Sequence, residues 1–261
     1  MRADKFLAER FGSRTKAAEE IEKGRVLIGG KPVRPKDEVL ETDEIEILEA
    51  EEYFVSNGGY KLSKALKDFS FDCSDLICAD IGASTGGFCD CLLQNGAKKV
   101  YAVDVGESLL HEKLQKDKRV ISLENINARY LKNGDLPEEV DLVTADVSFI
   151  SLKLVLPALY ELSKPDGEAI VLLKPQFECQ NKNIGKSGIV HTSAHQKILE
   201  KALGYCDEAG WKYCDITNAP IRKGKNVEYV LSLKKSGVGQ NKKEMIKKLE
   251  QILFTIKKAE K

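Results

Sequence analysis

Between residues 76 and 173 the chain carries five short apolar runs, at 76–79, 100–103, 120–123, 141–145 and 169–173, separated by stretches of helical character. Four or five apolar residues are strand length, and strands alternating with helices build an α/β doubly wound sheet with helices on both faces. Ligands of such sheets sit outside the carboxyl ends of the strands. The residues that follow each run therefore matter most. After the first run comes DIGASTGGF, Asp80 to Phe88, a glycine-rich turn that should open a helix.

That turn narrows the choice of ligand. A dinucleotide fingerprint, G-x-G-x-x-G, sets a pyrophosphate on the helix N-terminus. Here Ser84 stands where a glycine is required, and the Asp80 carboxylate would repel a pyrophosphate. A cationic ligand suits Asp80 better, and S-adenosylmethionine carries both an ammonium and a sulfonium. Gly82 is expected to permit the tight turn, with Gly86 and Gly87 letting the backbone approach the ligand. Asp104 ends the second run, about 20 residues on, where an acidic side chain can hold a ribose diol.

A length of 261 residues, 42% hydrophobic, accommodates one large and one small domain. The 41 basic and 41 acidic residues cancel, so any attraction to nucleic acid must be local. No apolar run approaches the roughly 20 residues of a membrane span, and Arg2-Ala3-Asp4-Lys5 begins a polar helix rather than a signal peptide. The expectation is a cytoplasmic protein that does not engage membranes. Seven scattered cysteines without a C-x-x-C pair read as reduced, mostly buried thiols rather than metal ligands. His191 and His195 have i, i+4 spacing but no H-E-x-x-H; Ser193 and Gln196 read instead as a capping box opening a helix.

Charge is segregated at the N-terminus. Residues 1–36 are rich in Lys and Arg, whereas 37–52 contain eight Glu or Asp beyond Asp37 and no basic residue. Helices are expected at 4–9 and 15–22, the second stopped by Gly24, then a hairpin of 25–28 with 32–33 around Gly29-Gly30 and a strand at 44–48. This layout clusters Arg14, Lys16, Lys23 and Arg25 as a surface for RNA backbone would. The pattern from Phe6 to Val33 resembles the small RNA-binding domain first seen in ribosomal small-subunit protein four. The resemblance adds Arg2, Lys5 and Lys31 to the expected RNA contacts.

Four polar residues stand where the sheet's ligand edge should be. Asp146 and Lys174 follow the fourth and fifth apolar runs, Lys61 precedes a helix leading into the first, and Glu228 opens a late strand. Alone, Lys61 reads equally as a solvent-facing helix residue and Glu228 as an edge-strand charge. Together they suit methyl transfer to a hydroxyl: a sulfonium is a good leaving group, so the protein must align the nucleophile and remove a proton. Lys174 can act as base only when its ammonium loses a proton readily, which burial and a second cation at Lys61 promote and the carboxylates oppose. Amino-group methylation would place N/D-P-P-aromatic at Asp146-Val147-Ser148-Phe149, where no proline occurs, and Cys179 is a poor candidate for a C5-methylation nucleophile.

SNGGYKL, DIGASTGGF, TADVSFISL, LLKPQFE and KNVEY resemble, in order, the motifs of FtsJ-like ribose methyltransferases. With the N-terminal domain they resemble the TlyA family of ribosomal RNA 2′-O-methyltransferases, historically labelled hemolysins. The resemblance implies a Rossmann-like class I methyltransferase sheet with a small α+β RNA-binding domain, and S-adenosylmethionine as cofactor. It implies a catalytic set of Lys61, Asp146, Lys174 and Glu228, and cofactor contacts from Asp80, Gly82, Ala83, Ser84, Gly86, Gly87, Phe88, Asp104, Asn125 and Asp146. The implied partner is ribosomal RNA or a ribosomal subunit, with a cytidine ribose as acceptor. Asn57 departs from the arginine many relatives carry before the paired glycines. The expected boundaries are 1–48 for the RNA-binding domain, 49–58 for a linker, 59–235 for the methyltransferase domain and 236–261 for a basic amphipathic tail. A non-catalytic RNA-binding protein and a membrane-lysing protein are the competing readings; an intact cofactor turn argues against the first, and the absence of a span or export signal against the second.

Overall fold

A computed structural model describes residues 1–22, 24–47 and 54–259. Two compact units divide between Tyr53 and Phe54. Lys23, Leu48 and residues 49–53 of the expected linker lie outside the described residues.

Among its described residues the first unit has two short helices, α1 (Ala3–Phe6) and α2 (Arg14–Glu22), and three strands, β1 (Val26–Ile28), β2 (Lys31–Pro32) and β3 (Ile45–Ile47). The strands form an antiparallel sheet in the order β2-β1-β3. Gly29 and Gly30, both at positive φ (54° and 73°), make the two-residue turn between β1 and β2, a conformation that glycine adopts without steric cost. Ala3, Leu7, Ala17, Ile21, Val26 and Val39 close a small core. The first helix is shorter than its sequence pattern suggests: Leu7 leaves helical geometry with its side chain fully buried in that core.

The second unit begins earlier than the sequence predicts. Phe54 is buried and stacks edge-on against Tyr60 at 5.1 Å, and the Val55 amide donates to Asp90 Oδ2 at 2.9 Å. Residues 54–58 are thus part of this unit rather than linker. The chain continues through α3 (Asn57–Phe69), β4 (Ile77–Ile81), α4 (Gly87–Gln94), β5 (Lys99–Val103), α5 (Glu112–Gln115), β6 (Val120–Leu123) and β7 (Val140–Ala145). It then forms α6 (Leu156–Leu162), β8 (Ser163–Leu173), α7 (Pro175–Glu178), α8 (His195–Ala209), β9 (Lys212–Asn218), β10 (Tyr229–Lys234) and α9 (Lys242–Ala259).

Seven strands make one sheet in the order β6-β5-β4-β7-β8-β10-β9. The first five are parallel, and β10 inserts antiparallel between β8 and β9. The apolar runs are continuous because both faces of the sheet are covered. Cys78, Leu142, Ile170, Leu172 and Val230 face a core that includes Leu62 and Leu66 of α3 and Leu92 of α4. Their neighbours Ala79, Val143, Val171, Leu173 and Leu231 face the opposite core with α6, α8 and α9. The tail expected at 236–261 contributes α9, whose Met245 and Leu249 are fully buried in that second core. No helix among the described residues is long and apolar enough to cross a membrane. The expected capping box is absent: a 3-10 turn, Thr192–Ala194, precedes α8, whose N-cap is Ala194 without a side-chain bond, and Gln196 instead donates to Glu200 at 3.0 Å.

Candidate active site

Strand order reverses at β4, where β5 and β6 lie on one side and β7 and β8 on the other. At the carboxyl end of this switch point is a cleft of about 270 Å³, lined by Ser56, Gly58, Lys61, Asp80, Gly82, Ala83, Ser84, Thr85, Gly87, Phe88, Asp146, Ser148 and Lys174. A narrower crevice continues from Ala83 and Ser84 past Asp104, Gly106, Leu109, Leu110 and Glu124.

Two glycines of the turn, Gly86 and Gly87, are also required by packing. Gly86 lines neither cleft, and at its φ of +89° a Cβ would collide with Leu114 and press on Leu110. A Cβ on Gly87 would strike Ser56 Oγ and lie 2.8 Å from the Gly59 amide nitrogen. These two residues let the N-termini of α3 and α4 meet and α5 close on the turn. Gly87 also lines the larger cleft, so its bare backbone borders that space as well. Gly59 belongs to the same contact, since a Cβ there would enter the Phe54 ring.

Asp80 is 1% exposed. Its Oδ2 accepts from the Cys89 amide and thiol, each at 3.1 Å, and its Oδ1 accepts from Thr144 Oγ at 3.1 Å. Burial pushes this carboxyl up to about 7, against the pull of the Cys89 and Thr144 hydrogen bonds and with help from the nearby Asp146 charge. Asp104 accepts from the Ser84 amide and from the Gly106 amide, both at 2.8 Å. Two amides thus fix its carboxylate at the crevice wall while each oxygen keeps a lone pair for a further donor. Asn125 is exposed, has φ +59° and lines neither cleft; its amide donates to the Gly106 carbonyl at 3.3 Å.

The four polar residues flagged at the strand ends come together. Lys61 lies within the second turn of α3 rather than before it, and its Nζ is 3.1 Å from Asp146 Oδ2 and 2.7 Å from Glu228 Oε2. Asp146 Oδ1 is 2.5 Å from Lys174 Nζ, a charge contact without hydrogen-bond alignment. Lys174 also donates to Ser148 Oγ at 2.8 Å, and its side chain is only 7% exposed. Antiparallel β10 explains Glu228: Tyr229 pairs with Leu173, so the start of β10 lies beside the end of β8. Burial works against the Lys61 charge, but Asp146 and Glu228 outweigh it and raise the pKa. Lys61 is therefore a permanent cation, and one carboxylate, Asp146, is shared by two lysines.

Some contributors had no sequence signal. Ser148 is set by Glu178, which is buried and accepts from Ser151 Oγ at 2.7 Å and the Leu152 amide at 2.6 Å, pinning the loop that carries Ser148 and Phe149. Phe149 is 91% exposed at φ +62° and leans on Phe177 at 5.2 Å, so an aromatic edge stands next to Ser148.

In the first unit, buried Asp4 holds two of the expected RNA contacts. It accepts from Arg2 Nη2 at 2.7 Å and from Arg14 Nε at 3.1 Å, leaving both guanidiniums partly exposed. Lys5, Lys16 and Lys31 are exposed. Arg25 differs, because its side chain is 19% exposed and ion-paired with buried Glu20.

This chain is similar to proteins of known family. The FtsJ-like methyltransferase family matches residues 54–235, and the S4 domain matches residues 1–45. The 16S/23S rRNA (cytidine-2'-O)-methyltransferase TlyA of Mycobacterium tuberculosis is 40% identical over 226 residues, 85% of this chain and 84% of that one. The 23S rRNA (cytidine-2'-O)-methyltransferase TlyA of Campylobacter jejuni is 35% identical over 255 residues, 88% of this chain and 97% of that one. Among solved structures, a protein of Streptococcus thermophilus bearing the name hemolysin superimposes with a TM-score of 0.73 at 36% identity, covering 99% of this chain and 98% of its own. On these grounds the chain belongs to the FtsJ-like methyltransferase family and, with its S4 domain, to the TlyA group within it.

Proposed function

We propose that this protein is an S-adenosylmethionine-dependent ribosomal RNA 2′-O-methyltransferase acting on a cytidine ribose, and that Lys61, Asp146, Lys174 and Glu228 carry the reaction. The observation that bears most weight is the linked array in which Asp146 contacts both lysines and Lys61 bridges to Glu228 at one end of the cofactor cleft. The cleft's chemistry fits the cofactor: Asp80 and Asp146 for positive charge, and Asp104, oriented by two amides, for a diol. Ala83 and Ser84, common to both clefts, connect the two ends. When bound, the cofactor supplies an electrophilic methyl on its sulfonium.

The chain's own residues then have distinct tasks. Lys174 Nζ takes the proton from the ribose 2′-hydroxyl; it lines the cleft beside Ser148 and is held there by Asp146. Lys61 keeps its charge and holds Asp146 and Glu228 in place. Asp146 orients Lys174 through the opposite carboxylate oxygen. Arg2, Arg14, Lys5, Lys16 and Lys31 are the RNA-backbone contacts of the first unit. An acceptor in ribosomal RNA supports a cytoplasmic site of action.

Ribosomal RNA from cells lacking the gene, treated with the protein and labelled donor, tests this. A methylated 2′-oxygen cannot attack the adjacent phosphorus, so label should survive alkali in a dinucleotide that contains cytidine. Label released as ordinary mononucleotides would mean base methylation and end the ribose assignment.

A further inference from the structure

Two loops at the rim of the cleft carry a charge pattern that the site does not use. The segment 179–191, which follows Lys174 and α7, contains Lys182 and Lys186 and no acidic residue. The segment 219–227, which ends at Glu228, contains Arg222, Lys223 and Lys225 and likewise no acidic residue. All five side chains are exposed, and among the described residues none of the five is ion-paired. Other lysines of the same unit, Lys99, Lys113 and Lys164 among them, do have carboxylate partners.

The loops are built as one surface. The first folds back on itself through the Ile184–Val190 bridge and the Gly185 amide bonded to the Ile189 carbonyl at 2.8 Å. Asn226 of the second loop accepts from the Val190 amide at 2.8 Å and donates to the Gly188 carbonyl at 3.0 Å, so one side chain joins the two. The second loop is closed at its base by the Ala219 amide on the Glu228 carbonyl at 2.9 Å. Beneath them, His195 Nδ1 and the Tyr229 hydroxyl meet at 2.6 Å, tying the start of α8 to the start of β10. In a chain of zero net charge, five unpaired cations held together repel one another unless a polyanion lies across them.

We propose that these joined loops are a docking surface for the phosphodiester backbone of the RNA strand that delivers the target nucleotide, independent of the S4 domain. The proposal rests on the methyltransferase reading above. Lys174 precedes the first loop and Glu228 follows the second, so both loops spring from residues of the candidate catalytic array. Phosphate neutralisation, unlike base reading, is sequence-independent and salt-sensitive.

The test is a full-length variant with Lys182, Lys186, Arg222, Lys223 and Lys225 all changed to Gln. A control changes Lys243, Lys247, Lys257 and Lys258 of α9 to Gln. Each is measured on ribosomal RNA and on isolated ribosomal subunits from cells lacking the gene. The rim variant should bind S-adenosylhomocysteine as the parent does and keep kcat within about 2-fold. Its KM for RNA should rise at least about 10-fold, and its log affinity should fall less steeply with log salt, by about 0.7 per lost single-strand phosphate contact. An unchanged salt slope in the rim variant, or an equal change in the α9 control, overturns the proposal. Failure of the parent protein to methylate any ribose would overturn the methyltransferase reading instead, while the binding slopes still decide whether the rim holds RNA.

Discussion

Replacing Asp80 with asparagine should make the free protein more stable at neutral pH and a weaker cofactor binder. The carboxyl titrates at about 7 in the folded state against an ordinary 3.8, because burial disfavours the charge. Below pH 4 the group is protonated in both folded and unfolded chains and takes nothing from stability. As pH rises from 4 to 7 the unfolded chain releases its proton while the folded chain keeps it, so stability is lost over that window. At about 1.4 kcal/mol per pH unit the interval from 3.8 to about 7 gives a ceiling of about 4 kcal/mol. Asparagine fits the same contacts: its oxygen can accept from the Cys89 amide and its nitrogen can donate to Thr144 Oγ. Urea unfolding at pH 5 and pH 8 reads the effect. The parent should lose about 2–3 kcal/mol more than the Asp80→Asn protein between the two pH values, because part of the ceiling is already lost by pH 5. Calorimetry should find S-adenosylmethionine affinity down about 10- to 100-fold, the scale of one charge-assisted contact. Parallel pH dependences in the two proteins would refute the claim that Asp80 is the titrating group.

Lys174→Ala should abolish methyl transfer while leaving cofactor affinity within about 3-fold, because its partners are Asp146 and Ser148; equal loss of both by calorimetry and turnover would remove it as the base. Gly86→Ala should destabilise the fold by about 2–4 kcal/mol, combining positive-φ strain with a Cβ driven into Leu114 and Leu110. Thermal unfolding checks this, and an unchanged midpoint would show that α5 gives way. Replacing Arg14 and Lys16 with Glu should flatten the salt dependence of RNA binding by about 1.5–2 log units per log unit of salt without altering cofactor affinity. An unaltered slope would take both residues out of the interface.

The sheet was legible because its strands are covered on both sides. Residues such as Cys78 and Ala79 face opposite cores, so the apolar run has no gaps and its end is sharply marked. Asp80, Asp104, Asp146 and Lys174 could be found from strand ends alone. Lys61 could not be assigned its partners, since 85 residues separate it from Asp146 and the packing of α3 against α4 and the sheet brings them into reach. The packing role of two glycines was hidden for a related reason. Gly86 and Gly87 are restricted by Leu114, Leu110, Ser56 and Gly59, contacts made by segments distant in sequence. Ser148 depends on Glu178, whose buried side chain looks in sequence like any surface charge. Phe54 appeared to be linker because an aromatic beside a run of glutamates carries no periodic pattern.

The place of β10 bears on how the molecule assembles. It is the last strand in the chain, yet it sits inside the sheet, with β8 on one side and β9 on the other. Until residues 229–234 insert, β8 and β9 each present an open edge to solvent, the arrangement most prone to pairing with a neighbouring chain. The strands that lead to Asp80, Asp104 and Asp146 pair with one another, with β6 and with β8, and not with β10, so they can close beforehand. Refolding should thus pass through a species with a formed cofactor cleft and no Glu228 beside Lys61. Cofactor affinity would return before turnover, separated by the slow, non-local docking of a single strand.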